Sequence, residues 1–299
     1  MNHLYFRVAE SIFDVDYRDA DDVKPLMPSY APFHIPATDQ GSMFSMLIGD
    51  NLVPFAPLGE EVGQFDCGGI NHGIYSRTDI EGYLILIGNT EGGAACALLT
   101  DQYFTKCEAS LYGDTANRSF GLNNALMIAF AFSGAYHNII LMHSSVTMYK
   151  GGGHLFLGKS GTGKSTHSKG WLKYLEGTEL LNDDNPALRY LPETDEVKVY
   201  GTPWSGKTPC YKNQSVPVRA VVRLEQYPEN IIRREPTLPS FASVLSSTST
   251  MIWDKASYKK ICETISNIVK HVPTFYLKCL PDEAAVKMSR QAIDEYYQQ

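Results

Sequence analysis

The chain has 299 residues, 43% of them hydrophobic and 20% charged, a composition that supports a large buried core and excludes a globally disordered protein. Twenty-six basic and 33 acidic residues give a net charge of −7. This balance argues against a dedicated nucleic-acid-binding protein, because such proteins carry a basic excess. At roughly 100–200 residues per domain, the length predicts one large domain or two smaller ones.

Cysteine spacing and the N-terminal segment predict the cellular compartment. None of the six cysteines forms a CxxC pair or lies at zinc-ligand spacing with histidine, which favours free thiols in a reducing cytosol. Residues 1–22 become acidic early and contain no apolar signal core. We therefore expect a cytoplasmic protein without a membrane partner.

Residues 1–118 are predicted to form a β-rich N-terminal domain. Alternating runs at residues 4–9, 83–87 and 96–99 are typical of short strands, and the clusters between such runs are rich in turn residues. We find no catalytic motif in this part of the chain. Binding of a substrate or a partner is the role that we predict for it.

Residues 119–299 are predicted to form an α/β domain with a mixed sheet. The most membrane-like stretch, residues 122–142, is interrupted by asparagines and a histidine, whereas a spanning helix needs about 20 predominantly apolar residues. We predict a buried helix there, then a turn near 133–134 and the start of a strand. Further on, strand-like and helical runs alternate, as in sheets with some parallel strands. The predicted strands are 154–157, 179–181, 218–224 and 274–277, and the predicted helices are 166–175, 256–269 and 281–297.

A glycine-rich segment between a predicted strand and a predicted helix carries the strongest functional signal. Its sequence is Gly158-Lys159-Ser160-Gly161-Thr162-Gly163-Lys164-Ser165, which fits the phosphate-loop pattern G-x-x-x-x-G-K-[ST]. Glycines let the backbone wrap round phosphates, and the following helix adds the positive end of its dipole. We expect Lys164 to reach the β- and γ-phosphates of ATP and Ser165 to place its hydroxyl on Mg²⁺. The alternative is a glycine-rich loop with an incidental lysine. The predicted nucleotide contacts in this segment are Gly158, Ser160, Gly161, Thr162, Gly163, Lys164, Ser165 and Thr166.

Two adjacent carboxylates, Asp183 and Asp184, end the apolar run that starts at Leu180. Asp183 lies 19 residues after Lys164, enough for one helix and a return strand, so both aspartates should emerge beside the phosphate loop. One carboxylate, Asp183 in our prediction, can hold Mg²⁺, and the other can accept a proton from an attacking hydroxyl. The alternative is a solvated turn.

Two further features could complete the site. His143 precedes Gly158 by 15 residues, the length of a hairpin between adjacent strands, so we predict it near the mouth of the loop. The alternative is a satisfied core or strand-end histidine. Residues 201–208 contain two glycines, a proline and Trp204. They also contain Lys207, which could neutralise phosphate charge. A surface hairpin anchored by a buried tryptophan is the equal alternative.

With these residues together, the chain resembles the HPr kinase/phosphorylase-like family of P-loop kinases, whose nucleotide core is related to ATP-dependent phosphoenolpyruvate carboxykinase. The matching order is His143-Ser144-Ser145-Val146, a glycine turn at 151–153, the phosphate loop, and Asp183-Asp184. The resemblance is clear over residues 120–190. It implies a P-loop kinase core in which Lys164 and Ser165 bind phosphates and Mg²⁺. It also implies that the aspartates supply a metal contact and the general base, with His143 beside the transferred phosphate.

The leading hypothesis is an ATP- and Mg²⁺-dependent kinase that transfers the γ-phosphoryl group to a hydroxyl of a protein, a peptide or a small molecule. The acceptor can be a serine, and assembly into a homo-oligomer is open. The alternative hypothesis is a binding module that changes shape with nucleotide and performs no transfer. A regulatory GTPase is disfavoured, because the chain contains no N/T-K-x-D motif for guanine.

Overall fold

The computed structural model describes residues 2–18, 23–67, 70–206 and 208–298. The fold is mixed α/β and divides into two compact units, residues 1–137 with 250–258 and residues 138–249 with 259–299. Within the described residues, each unit is built on a nine-stranded sheet that contains both parallel and antiparallel neighbours. None of the helices in these ranges is both long and apolar enough to cross a membrane.

The strands of the first unit are β1 (Asn2–Val8), β2 (Ser11–Tyr17), β3 (His34–Ile35), β4 (Phe44–Ile48), β5 (Glu61–Cys67), β6 (Ile70–Ser76), β7 (Gly82–Gly88), β8 (Ala94–Asp101) and β9 (Lys106–Leu111), with 3₁₀ turns at Lys24–Leu26 and Pro28–Phe33. They form one sheet of order β3-β1-β2-β4-β9-β8-β7-β6-β5. Neighbouring strands are antiparallel except where β4 lies parallel to β2 and to β9. A two-residue turn at Ala9 and Glu10, both at positive φ, joins the first two strands with the twist that tight hairpins prefer. The runs predicted at 4–9, 83–87 and 96–99 coincide with β1, β7 and β8.

Helix α1 (Thr115–Gly134) packs on this first sheet. Asp114 caps it by accepting a hydrogen bond from the Asn117 amide at 2.9 Å. The helix approaches β8 so closely that a Cβ on Gly121 would lie 2.5 Å from the Ala95 carbonyl oxygen. Because α1 buries its apolar side against the first sheet, the compact division falls at 137/138, whereas the sequence analysis divided the chain at 118/119.

A short later segment, residues 250–258, also belongs to the first unit. Tyr83 donates a hydrogen bond from its hydroxyl to Asp254 Oδ2 at 2.8 Å, and the ring of Trp253 lies 5.5 Å from that of Phe65. The sequence analysis had assigned this segment to the second domain. Its contacts are made with residues more than 150 positions away, which local patterns do not reveal.

The strands of the second unit are β10 (Ile139–Leu141), β11 (Ser145–Tyr149), β12 (Gly152–Leu157), β13 (Glu179–Asn182), β14 (Ala187–Leu191), β15 (Glu196–Tyr200), β16 (Ser215–Gln226), β17 (Ile231–Arg234) and β18 (Thr274–Cys279). They form a sheet of order β10-β14-β15-β16-β12-β11-β13, in which β18 also pairs with β16 and β17 pairs with β18. The helices are α2 (Lys164–Tyr174), α3 (Thr237–Leu245), α4 (Lys255–His271), which begins within the 250–258 segment, and α5 (Glu283–Tyr296); a 3₁₀ turn, Ala135–His137, precedes β10.

Strand direction brings the ends of three segments to one edge of this sheet. Strand β11 is antiparallel to both β12 and β13, so β12 and β13 run the same way and end where β11 begins. We call this the loop edge. The chain enters the glycine-rich segment after β12, reaches the aspartates after β13, and passes His143 just before β11.

The core of the second unit holds α2 and α5 against one face of the sheet. Trp171 on α2 is fully buried among residues such as Phe156 and Val222, and its indole N–H lies 3.1 Å from Ser289 Oγ on α5. Two histidines, His154 and His167, are also buried here, and burial lowers the pKa of each to about 4. Both side chains therefore belong to the core of this unit.

Candidate active site

The glycine-rich segment forms a tight loop between β12 and α2. Gly158 has a φ of +154°, and a Cβ there would lie 2.8 Å from Thr162 Oγ1, so no larger residue fits without displacement. Gly163, the residue just before the helix, has a φ of +100°, a conformation that favours glycine. Backbone requirements therefore explain the glycines that flank the loop.

Bonds from the loop itself and from a neighbouring strand hold its shape. The Thr162 amide donates to the Lys159 carbonyl oxygen at 3.1 Å, and the Thr162 hydroxyl bonds the same oxygen. From the end of β16, Gln226 donates to the Gly161 carbonyl oxygen at 3.1 Å. The loop is therefore preorganised, which lowers the entropy cost of binding a ligand.

Lys164 lies at the start of α2 with its ammonium over the loop. The Nζ atom donates to the carbonyl oxygens of Gly158, at 2.9 Å, and Lys159, at 3.5 Å. Partial burial lowers the pKa of Lys164, whereas the negative charges of Asp184 and Asp183 act to raise it. The first N–H groups of a helix have no acceptor within the helix, so amide donors and a cation face the same space.

A buried asparagine shapes the turn that carries the two aspartates. Asn182, at the end of β13, donates from its side chain to Thr202 Oγ1 at 3.0 Å, and its Oδ1 accepts from the Asp184 amide at 2.9 Å. The Asn185 amide donates to the Trp204 carbonyl oxygen at 3.1 Å. Residues 201–206 therefore lie against the aspartate turn, and Trp204 is the buried anchor of that segment.

Both carboxylate oxygens and the amide of Asp183 make hydrogen bonds. Its Oδ1 accepts from the Ser145 hydroxyl at 2.6 Å, and its Oδ2 accepts from the Thr208 hydroxyl at 2.7 Å. Its amide donates to Ser205 Oγ at 3.2 Å. Each carboxylate oxygen has two lone pairs, so both oxygens keep one for a cation.

Asp184 is partly exposed and is paired with His143. The Nδ1 atom of His143 lies 3.1 Å from Asp184 Oδ1, and the two side chains are 49% and 30% exposed. The backbone supports this pairing, because the Ser144 amide donates to the Asp184 carbonyl oxygen at 2.8 Å and the His143 amide donates to that of Ser247 at 2.7 Å. Gly206 lies directly against Asp184, since a Cβ there would come within 2.9 Å of the Asp184 Cβ.

The loop edge thus brings together the glycine-rich loop, His143 and both aspartates. Ser160 and Thr166 are exposed and Ser165 is half-buried on the first turn of α2. Lys207 lies outside the described residues. Sequence reasoning missed the hydroxyl groups that bond Asp183. Ser145 and Thr208 could have been suggested only by their nearness in sequence to His143 and Lys207.

The donor set suits a magnesium–nucleotide complex better than an all-protein metal site. No cluster of three or more histidine, cysteine, aspartate or glutamate side chains able to hold a metal occurs in the described part of the chain. Mg²⁺ is commonly held by one or two carboxylates together with substrate phosphates and water. The carboxylate of Asp183 and the hydroxyl of Ser165 are oxygen groups of the kind that such a complex needs.

Comparisons with known proteins give structural similarity at a distant level. No protein-family model matches this chain, and no curated protein matches its sequence. Among solved structures, it is similar to the Hpr(Ser) kinase/phosphatase from Coxiella burnetii, with 14% identity and a TM-score of 0.31 over 53% of this chain and 94% of that chain. A similarity at this level carries no inference about fold or function.

Proposed function

We propose that this protein is an ATP- and Mg²⁺-dependent phosphotransferase that transfers the γ-phosphoryl group to a hydroxyl of a protein, a peptide or a small molecule. The observation that carries the proposal is a juxtaposition at the loop edge. Lys164 stands on a glycine-rich loop at a helix start, within the electrostatic reach of two carboxylates, and Asp184 lies 3.1 Å from His143. Phosphoryl transfer depends mainly on such positioning and charge neutralisation.

Each group has a proposed role. When bound, ATP would supply the phosphoryl group and Mg²⁺ would neutralise charge on its phosphates. The loop amides and Lys164 bind the β- and γ-phosphates, and Ser165 with Asp183 holds the metal ion. Asp184 accepts the proton of the attacking hydroxyl, and His143 orients the Asp184 carboxylate through the 3.1 Å contact. Lys207 is proposed as a further phosphate contact.

Titration calorimetry with ATP, with and without Mg²⁺, tests the binding half of this proposal. We expect Mg²⁺-dependent binding by the unchanged protein and its loss in Lys164→Ala. Turnover of γ-labelled ATP with serine-containing peptides, proteins and hydroxylated metabolites tests the transfer half. Binding without transfer to any acceptor class would favour the nucleotide-gated binding module, and absence of binding would eliminate both.

A further inference from the structure

A chain of buried hydroxyl groups joins helix α2 to Asp183. The Ser168 hydroxyl donates to Ser145 Oγ at 2.6 Å, and the Ser145 hydroxyl donates to Asp183 Oδ1 at 2.6 Å. Ser168 and Ser145 are 1% and 0% exposed, so water does not compete for these bonds. Both lengths lie at the short end of the range for hydroxyl donors, and the second is charge-assisted.

The order of donors along this chain is fixed. The carboxylate accepts only, so Ser145 must use its one proton on Asp183 and accept from Ser168. Removing either hydroxyl therefore leaves a buried polar group without its partner, and Asp183 loses a restraint directly or through Ser145. The other carboxylate oxygen of Asp183, Oδ2, accepts a hydrogen bond from the Thr208 hydroxyl at 2.7 Å.

The position of Ser168 connects this chain to the phosphate loop. Ser168 lies four residues after Lys164 and three after Ser165, about one turn further along the same helix. The hydroxyl that restrains Ser145 is thus carried by the same helix whose first turn bears Lys164 and Ser165. The same short link therefore reaches from the phosphate-binding end of α2 to the carboxylate after β13.

We infer that Ser145 and Ser168 are positioning residues that set Asp183 for the metal ion and couple its placement to occupancy of the phosphate loop. This inference rests on the proposed function. The two serines touch neither nucleotide nor metal in this scheme and act only through Asp183. Their loss should therefore weaken Mg²⁺-dependent steps and spare metal-free nucleotide binding.

Thr147 provides a matched control for the two serines. It lies two residues after Ser145 on β11, so its side chain points to the same face of the strand. It is also 0% exposed, and its hydroxyl has no hydrogen-bond partner among the described residues. Thr147→Val thus removes a buried hydroxyl from the same strand without touching the link to Asp183.

The test compares Ser145→Ala, Ser168→Ala and Thr147→Val by calorimetry and amide hydrogen exchange. Both serine variants should keep metal-free ATP affinity within about twofold. For half-maximal enhancement of ATP binding, Ser145→Ala, which loses the charge-assisted bond, should need about tenfold more Mg²⁺, and Ser168→Ala, which loses the neutral bond, about fivefold more. Exchange of the Asp183 amide should become faster in both. Thr147→Val should change neither quantity, and Ser145→Thr, which keeps the hydroxyl, should restore much of the Mg²⁺ response.

Two outcomes would overturn the inference. One is serine variants that match Thr147→Val in both Mg²⁺ dependence and amide exchange. The other is an equal loss of metal-free and Mg²⁺-dependent ATP binding, which would mean general damage to the unit. Failure of the unchanged protein to bind ATP would instead overturn the proposed function, and the exchange rates would still decide whether the two serines fix Asp183.

Discussion

Mild acid is expected to destabilise the second unit through His154. This side chain lies on β12 at 5% exposure, with its ring 4.7 Å from that of Trp171. Burial lowers its pKa from 6.5 to about 4; a backbone hydrogen bond with Thr147 acts against this shift, and the positive charge of Arg219 adds to it. The unfolded chain therefore binds the proton more tightly than the folded chain does.

The sign and size of the effect follow from linkage between protonation and folding. Because the folded pKa is the lower one, the stability contributed by neutral His154 is complete above pH 6.5 and is lost as the pH falls toward 4. Between pH 7.5 and pH 5 the loss amounts to about 2 kcal/mol of unfolding free energy, at about 1.4 kcal/mol per pH unit. That is a large share of the 5–15 kcal/mol typical of a folded domain.

Urea denaturation of the unchanged protein and of His154→Leu at both pH values measures this loss. Leucine cannot bind a proton, and its cost or gain in packing is the same at both pH values. All other groups, including His167, titrate in both proteins, so they cancel in the comparison. The unchanged protein should lose about 2 kcal/mol more than the variant does between pH 7.5 and pH 5. An identical pH dependence for the two proteins would refute the reasoning.

Three further predictions concern the loop, the base and the packing of α1. Lys164→Ala should weaken ATP binding by about 100-fold or more, to below detection, with little change in the urea midpoint, since among the described residues its ammonium donates to loop carbonyls; calorimetry measures this, with the exposed Lys169→Ala as control. Asp184→Asn should lower the rate of γ-phosphoryl transfer by about 10²–10⁴-fold and keep ATP affinity within a few-fold, and retained transfer would remove Asp184 as the base. Gly121→Ala should destabilise the first unit by about 1–3 kcal/mol in thermal unfolding, because its Cβ would meet the Ala95 carbonyl oxygen at 2.5 Å; unchanged stability would contradict this close approach.

Local sequence patterns predicted the elements that carry the candidate site. The strand, glycine loop and helix of residues 154–175 are read from an apolar run, glycine spacing and helical periodicity, and the structure has β12 and α2 there. The spacing of 15 residues between His143 and Gly158 predicted a hairpin between adjacent strands, and β11 and β12 form that hairpin, whereas the contact of His143 with Asp184 was not predicted. These features depend on contacts between residues close in sequence or on a single hairpin.

The parts that sequence reasoning missed depend on distant contacts. Ser145 and Thr208 lie 38 and 25 residues from Asp183, and hydroxyl side chains give no periodic signal. The parallel pairing of β4 with both β2 and β9 likewise leaves no local trace. The assignment of α1 to the first unit depends on which sheet covers its apolar residues, and the sequence of the helix does not specify that sheet.

ATP titration in the presence and absence of Mg²⁺ tests the central claim most directly. The account predicts saturable binding by the unchanged protein that strengthens with Mg²⁺ and is lost in Lys164→Ala, whose urea midpoint stays near that of the unchanged protein. Absence of binding by the unchanged protein, or equal binding by Lys164→Ala, would contradict the claim that the loop before α2 is a nucleotide-phosphate site.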